Sequence, residues 1–137
     1  MTTKQFLPLP YGKDVYSELK GNGCYFVDKT PYLKELIDKD KSNVMLFTRP
    51  RRFGKTLFMS MVEYFLKINS ANPGDTILQQ KLFKDTKILE DREFCAKYMG
   101  QHPVICLTLK GVQGKTFKAA YYKLAELIVA KANEYSF

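Results

Sequence analysis

The chain has 137 residues, 45% hydrophobic and 26% charged, which is enough apolar material for one core and too much for a disordered tail. Its 22 Lys and Arg against 14 Asp and Glu give a formal net charge of +8, which favours anionic partners such as nucleotide, nucleic acid or acidic protein without choosing among them. Eight Gly and six Pro exclude collagen-like and proline-rich classes.

Cys24, Cys95 and Cys106 are odd in number, widely spaced and without a CxxC pair, as in a reducing compartment. His102 is the single histidine, so a zinc site would need clustered carboxylates, and none lie nearby in sequence. A Cys106–His102 nucleophilic pair lacks any orienting third group, and all three cysteines read as small core hydrophobes. The N-terminus has no apolar stretch of signal-peptide type, and no uncharged apolar run reaches membrane-spanning length. The expectation is a cytoplasmic protein without a membrane partner.

In chain order, residues 1–42 read as an arm and a helix that precede the main motif. A short helical turn falls near Val15 to Leu19, and Cys24 to Val27 follow as an extended segment. Thr30 has N-cap chemistry and Pro31 suits a first helical position, where its missing N–H costs nothing. Leu33, Leu36 and Ile37 line the face of that helix. Val44-Met45-Leu46-Phe47 is an unbroken apolar run, as in a strand buried on both faces. A loop from Thr48 to Phe53 separates it from a helical pattern through Leu57, Phe58, Met61, Val62, Phe65 and Leu66.

Residues 75–102 form a helical insert in pieces, ended by Pro103. Val104 to Leu109 is a second candidate strand, closed by Lys110-Gly111. The last helix runs from about Thr116 to Asn133, with Phe117, Tyr121, Leu124, Ile128 and Ala132 on one side. The order strand, helix, helical insert, strand, helix predicts an α/β fold, a single domain over 1–137 with parallel crossovers. Two core strands do not complete a sheet. Either Cys24 to Val27 joins them, or the sheet is unfinished and offers an edge for self-association.

The chemistry concentrates in residues 43–58, NVMLFTRPRRFGKTLF. A strand, a loop, Gly-Lys-Thr and a helix are the context of a phosphate-binding P-loop. Backbone N–H groups of such a loop form an anion nest, reinforced by the helix dipole. Gly54 lets the backbone approach a phosphate, Lys55 supplies a flexible point charge, and Thr56 offers its hydroxyl to Mg²⁺. Phe53 and Leu57 flank these positions. In GxxxxGK[ST] the first glycine is here Arg49, and the loop carries Arg49, Arg51 and Arg52. These side chains suit bidentate phosphate binding, and they equally suit a solvated basic face or a nucleic-acid contact.

The chain resembles the bacterial AAA-ATPase-like family, whose members often carry a PD-(D/E)XK nuclease-like region further along. The resemblance rests on Tyr25-Phe26-Val27-Asp28-Lys29-Thr30, on Arg49-Pro50-Arg51-Arg52-Phe53-Gly54-Lys55-Thr56, on Phe94 to Gly100, and on Pro103-Val104-Ile105 with Leu109-Lys110-Gly111. It implies a P-loop NTPase-like three-layer arrangement with a mainly parallel sheet, of which this chain is the N-terminal part. It also implies ATP and Mg²⁺ as ligands, with Arg51, Arg52, Phe53, Gly54, Lys55, Thr56 and Leu57 at the nucleotide and Thr56 on the metal. Tyr25 to Thr30 are then expected beside the loop, on the base side of the pocket, or else Tyr25 and Val27 simply fill core. Asp85-Thr86 departs from the family, in which glycine is usual there.

A Walker B strand, apolar and ending in Asp or Glu, is not found. Val104 to Leu109 ends in Lys110, and Leu89-Glu90-Asp91 has too short an apolar lead. The expectation is therefore nucleotide binding within an ATPase whose hydrolytic residues lie beyond this chain. The alternative is a basic nucleic-acid or protein-interaction module that uses the arginine loop.

Overall fold

The computed structural model describes residues 7–37 and 44–134. It divides into two compact units, Met1–His102 and Pro103–Phe137, each taken by itself below.

The first unit is helical. Its elements are α1 (Tyr16–Gly21), α2 (Pro31–Ile37), α3 (Lys55–Leu66), α4 (Ile77–Leu82), a 3₁₀ turn (Lys87–Glu90) and α5 (Arg92–Tyr98). Helix α3 is the organising element because Leu57, Met61 and Phe65 recur every four residues and fall on one face. Phe65 is fully buried, with the Phe83 ring edge-on at 5.3 Å and the Phe94 ring stacked at 5.9 Å. Tyr16 of α1 closes the other end against Phe26 and Phe83. Its buried hydroxyl donates to Leu82 O at 3.3 Å, and burial together with the Asp28 charge pushes its pKa well above the ordinary tyrosine range. Helices α1 and α3 are also joined by Tyr16 N–H to Ser60 Oγ, 2.9 Å, and by Ser17 Oγ to Tyr64 Oη, 2.9 Å.

Helix α2 begins at Pro31, as its sequence predicts. Helix α5 is capped by Asp91, which accepts Phe94 N–H at 3.0 Å and pairs with Lys34 of α2. The end of α3 is finished by residues 100–102, where Gly100 N–H donates to Phe65 O and His102 N–H to Leu66 O, each at 2.9 Å. Ile68 N–H donates to His102 O at 2.8 Å, which completes a single parallel bridge between Lys67 and His102.

That bridge is the whole of the β pairing among the described residues. The expected α/β arrangement with a mainly parallel sheet is therefore not formed, and Cys24–Val27, Val44–Phe47 and Val104–Leu109 are not strands. An apolar run records hydrophobicity, whereas a strand exists only where a neighbour accepts and donates its ladder. Val44 is 81% and Leu46 85% exposed, the reverse of a strand covered on both faces. Among the described residues no sheet is formed whose edge could be unfinished.

Of the cysteines expected in the core, Cys24 is buried and the half-buried Cys95 packs against the aromatic core, whereas Cys106 is half-buried in the second unit. Cys95 donates its S–H to Ile88 O at 3.2 Å, and burial followed by the nearby Asp91 charge pushes its thiol up from the ordinary value.

The second unit contains extended chain, a turn at Lys110-Gly111 and helix α6 (Phe117–Asn133). Thr116 caps α6 by accepting Ala119 N–H at 3.2 Å. Phe117, Tyr121 and Ile128 of its apolar side are exposed, and none of its described residues is buried.

Candidate functional site

The loop that feeds α3 has an unusual backbone. Arg52 takes φ 63° and Gly54 φ 78°, whereas Phe53 between them and Lys55 after them do not have positive φ. A left-handed residue followed by a right-handed one, as Gly54 is by the helical Lys55, turns successive N–H groups toward one concavity, which is the geometry of an anion nest. Glycine bears the left-handed conformation freely at 54. Arg52 bears it at a cost of about 1–2 kcal/mol, so the strain sits at 52 rather than at the Arg49 position that replaces glycine.

Helix α3 opens directly from this loop. Its first turn leaves the N–H groups of Lys55, Thr56 and Leu57 without helical acceptors, and no side chain caps them. The first helical bond is Phe58 N–H to Gly54 O, 2.9 Å. The twelve-residue α3 adds the positive end of its dipole at the same point.

The side chains divide cleanly. Arg51, Arg52, Phe53, Gly54, Lys55 and Thr56 are exposed, whereas Leu57 is half-buried and packs on the core. Lys55 folds back over the loop, its Nζ donating to Arg49 O at 2.5 Å and to Pro50 O at 3.1 Å. Two of its three donors are thus held by carbonyls of the loop itself. The Arg49 guanidinium lies 5.8 Å from the centre of the Phe53 ring.

One residue here comes from outside the loop, from the segment Tyr25 to Thr30 expected beside it. A methyl group on the Gly54 Cα would meet only Lys29 Nζ, at 3.9 Å, and the same ammonium is 5.8 Å from the Phe53 ring centre. Lys29 is exposed, but its neighbours on both sides are fixed. Asp28 accepts Thr30 N–H at 2.9 Å, Thr30 O–H at 2.7 Å and Lys87 N–H at 2.8 Å. Thr30, fully buried, accepts Ile88 N–H at 3.2 Å. Burial raises the Asp28 carboxyl, but the Lys87 and Thr30 hydrogen bonds outweigh it and hold the group below the ordinary aspartate value. Tyr25 and Val27, expected at the base side or in the core, are 54% and 58% exposed, and Tyr25 N–H is bonded to Pro8 O at 2.8 Å.

Among the described residues no group of three or more His, Cys, Asp or Glu could hold a metal ion. No described helix is long and apolar enough to cross a membrane.

A family model described as Predicted AAA-ATPase matches residues 10–137. The chain belongs to that family. It is also 26% identical over 121 residues to an uncharacterized protein in the vnfD 5′ region of Azotobacter chroococcum mcd 1, a match that covers 88% of this chain and 20% of that protein. The chain thus spans about a fifth of the length of this curated relative. No solved structure matches it. Membership carries a general theme of ATP binding, and the arginine-rich loop before α3 is where an AAA-ATPase-like chain of this sequence offers a basic, uncapped helix start.

Proposed function

We propose that this chain binds the polyphosphate of ATP through residues 51–57, a variant Walker A loop, as the nucleotide-binding part of a longer AAA-like ATPase. The observation that supports this reading is the left-handed backbone at Arg52 and Gly54 leading into the uncapped first turn of α3. Such a backbone offers several N–H donors to one anion without reorganisation. Gly54 admits the phosphate, Lys55 exchanges the Arg49 and Pro50 carbonyls for phosphate oxygens, and Arg51 and Arg52 reach the flanks as bidentate donors. Leu57 contributes its N–H while its side chain anchors the turn in the core.

Mg²⁺ fits this site only as a nucleotide complex. Thr56 is exposed at the second position of α3 and can give one hydroxyl ligand, whereas the protein supplies no ready cluster of carboxylates among the described residues. When bound, the ion would neutralise phosphate charge.

Calorimetric titration with MgATP tests the proposal. Saturable binding that Lys55→Ala abolishes and Thr56→Ala weakens in a Mg²⁺-dependent way supports it. Wild-type protein without measurable MgATP binding overturns it. Exposed Arg51 and Arg52 give the competing reading its specific footing. A nucleic-acid module would instead show steeply salt-dependent DNA or RNA binding, indifferent to Lys55→Ala and lost when Arg51 and Arg52 are replaced together.

A further inference from the structure

Lys29 stands out among the basic side chains around the loop because it comes from a distant segment and is presented by a built support. Its Nζ sits over Gly54, 3.9 Å from the point where a Cβ would stand, and beside the Phe53 ring. The segment that carries it is pinned on both sides, by three donors to Asp28 and by the Ile88 N–H to Thr30. These bonds tie residues 28–30 to the start of the 3₁₀ turn at Lys87–Glu90, so the backbone of Lys29 has little freedom while its side chain stays exposed. Lys29 has no carboxylate partner among the described residues, and its cation–π contact with Phe53 guides the stem toward the loop without neutralising the charge.

We infer that Lys29 is a further phosphate-binding residue, a second ammonium that meets the same polyphosphate as the loop N–H groups and Lys55. The inference rests on the nucleotide-binding reading above and gives it a residue from outside the loop. Its chemistry follows from the placement. Gly54 is the position without a side chain, so an anion can approach its backbone, and an ammonium poised over that opening meets the anion as it enters. Lys55 has two donors committed to the Arg49 and Pro50 carbonyls, whereas the Lys29 ammonium makes no hydrogen bond among the described residues that a phosphate would have to displace. Asp28 acts as a positioning residue. Its carboxylate faces Thr30 and Lys87, which keeps it from pairing with the lysine beside it in sequence.

The test titrates the full chain and its Lys29→Ala, Lys29→Gln and Lys55→Ala variants with two probes, MgATP and magnesium tripolyphosphate, which lacks the base and sugar. Loss of one charge-assisted contact corresponds to a weakening of about tenfold. The expected result is that Lys29→Ala and Lys29→Gln both weaken both probes by that factor, with unchanged melting temperature. The glutamine variant keeps most of the stem over Phe53, so binding restored by Lys29→Gln would assign the role to packing and overturn the inference. Weakening confined to MgATP would place Lys29 at the base or sugar and also overturn it. Wild-type affinity in Lys29→Ala, with binding still abolished in Lys55→Ala, would remove Lys29 from the ligand while leaving the nucleotide-binding reading intact. Wild-type protein that binds neither probe would overturn both.

Discussion

The carboxylate of Asp28 accepts the backbone N–H of Lys87 at 2.8 Å across 59 residues of sequence. This bond joins the segment before α2 to the 3₁₀ turn of the insert, and it is strengthened because the acceptor is ionised. A carboxyl held below its ordinary value contributes stability that is fully present above the unfolded pKa and lost as pH falls through the folded one. The window is therefore acidic, opening at about the ordinary aspartate value of 3.8 and extending below it. Asp28→Ala should lower stability at neutral pH by about 1–3 kcal/mol and flatten the acid limb, as measured by urea melts from pH 2 to pH 7. An unchanged pH profile would show that the clasp does not form in solution.

Phe65 is the hub of the aromatic core, in contact with rings from two other parts of the first unit. Phe65→Ala removes a fully buried ring and leaves a cavity, a change that costs about 3–5 kcal/mol. The expected outcome is a chain largely unfolded at 37 °C by near-UV circular dichroism. Exposed Phe53→Ala should leave the same spectrum intact, because its ring is 57% exposed.

Asp85 takes φ 62° in the turn before the 3₁₀ segment, a conformation that L-residues adopt at a cost. Glycine at this point removes that cost but adds freedom to the unfolded chain. Asp85→Gly should therefore stabilise the protein by no more than about 1 kcal/mol, read as a small rise in the urea midpoint. A loss of stability would mean that the Asp85 side chain makes a contact worth more than the strain.

Turnover is expected to be slow. Hydrolysis needs an oriented water as well as charge neutralisation. Among the described carboxylates, Asp28 is committed to Lys87 and Thr30, and Asp91 to Lys34 and Phe94. A missing acid–base group costs roughly 10²–10⁴ in rate. Phosphate release by this chain should therefore stay well below about 1 s⁻¹, and a rate at or above that value, abolished by Lys55→Ala, would contradict the prediction.

The sequence by itself determined what depends on neighbours three and four residues apart. The apolar spacing of α3 and α6, Pro31 at the head of α2, and the loop-to-helix junction at Gly54-Lys55 were all legible, because helix hydrogen bonds close within one turn. The arginine loop and its Gly-Lys-Thr were legible for the same reason, as contiguous residues that carry their own chemistry. Tertiary structure decided the rest. Val44–Phe47 and Val104–Leu109 have the composition of buried strands, but a strand is made by the ladder of a partner, which no property of the run itself supplies. Thr30 looked like a helix cap, yet its hydroxyl is committed to Asp28 and Ile88, a choice set by a segment 58 residues away. The resemblance put the segment Tyr25 to Thr30 beside the loop, but that its Lys29 ammonium stands over Gly54 follows from packing between distant segments, which spacing along the chain does not carry.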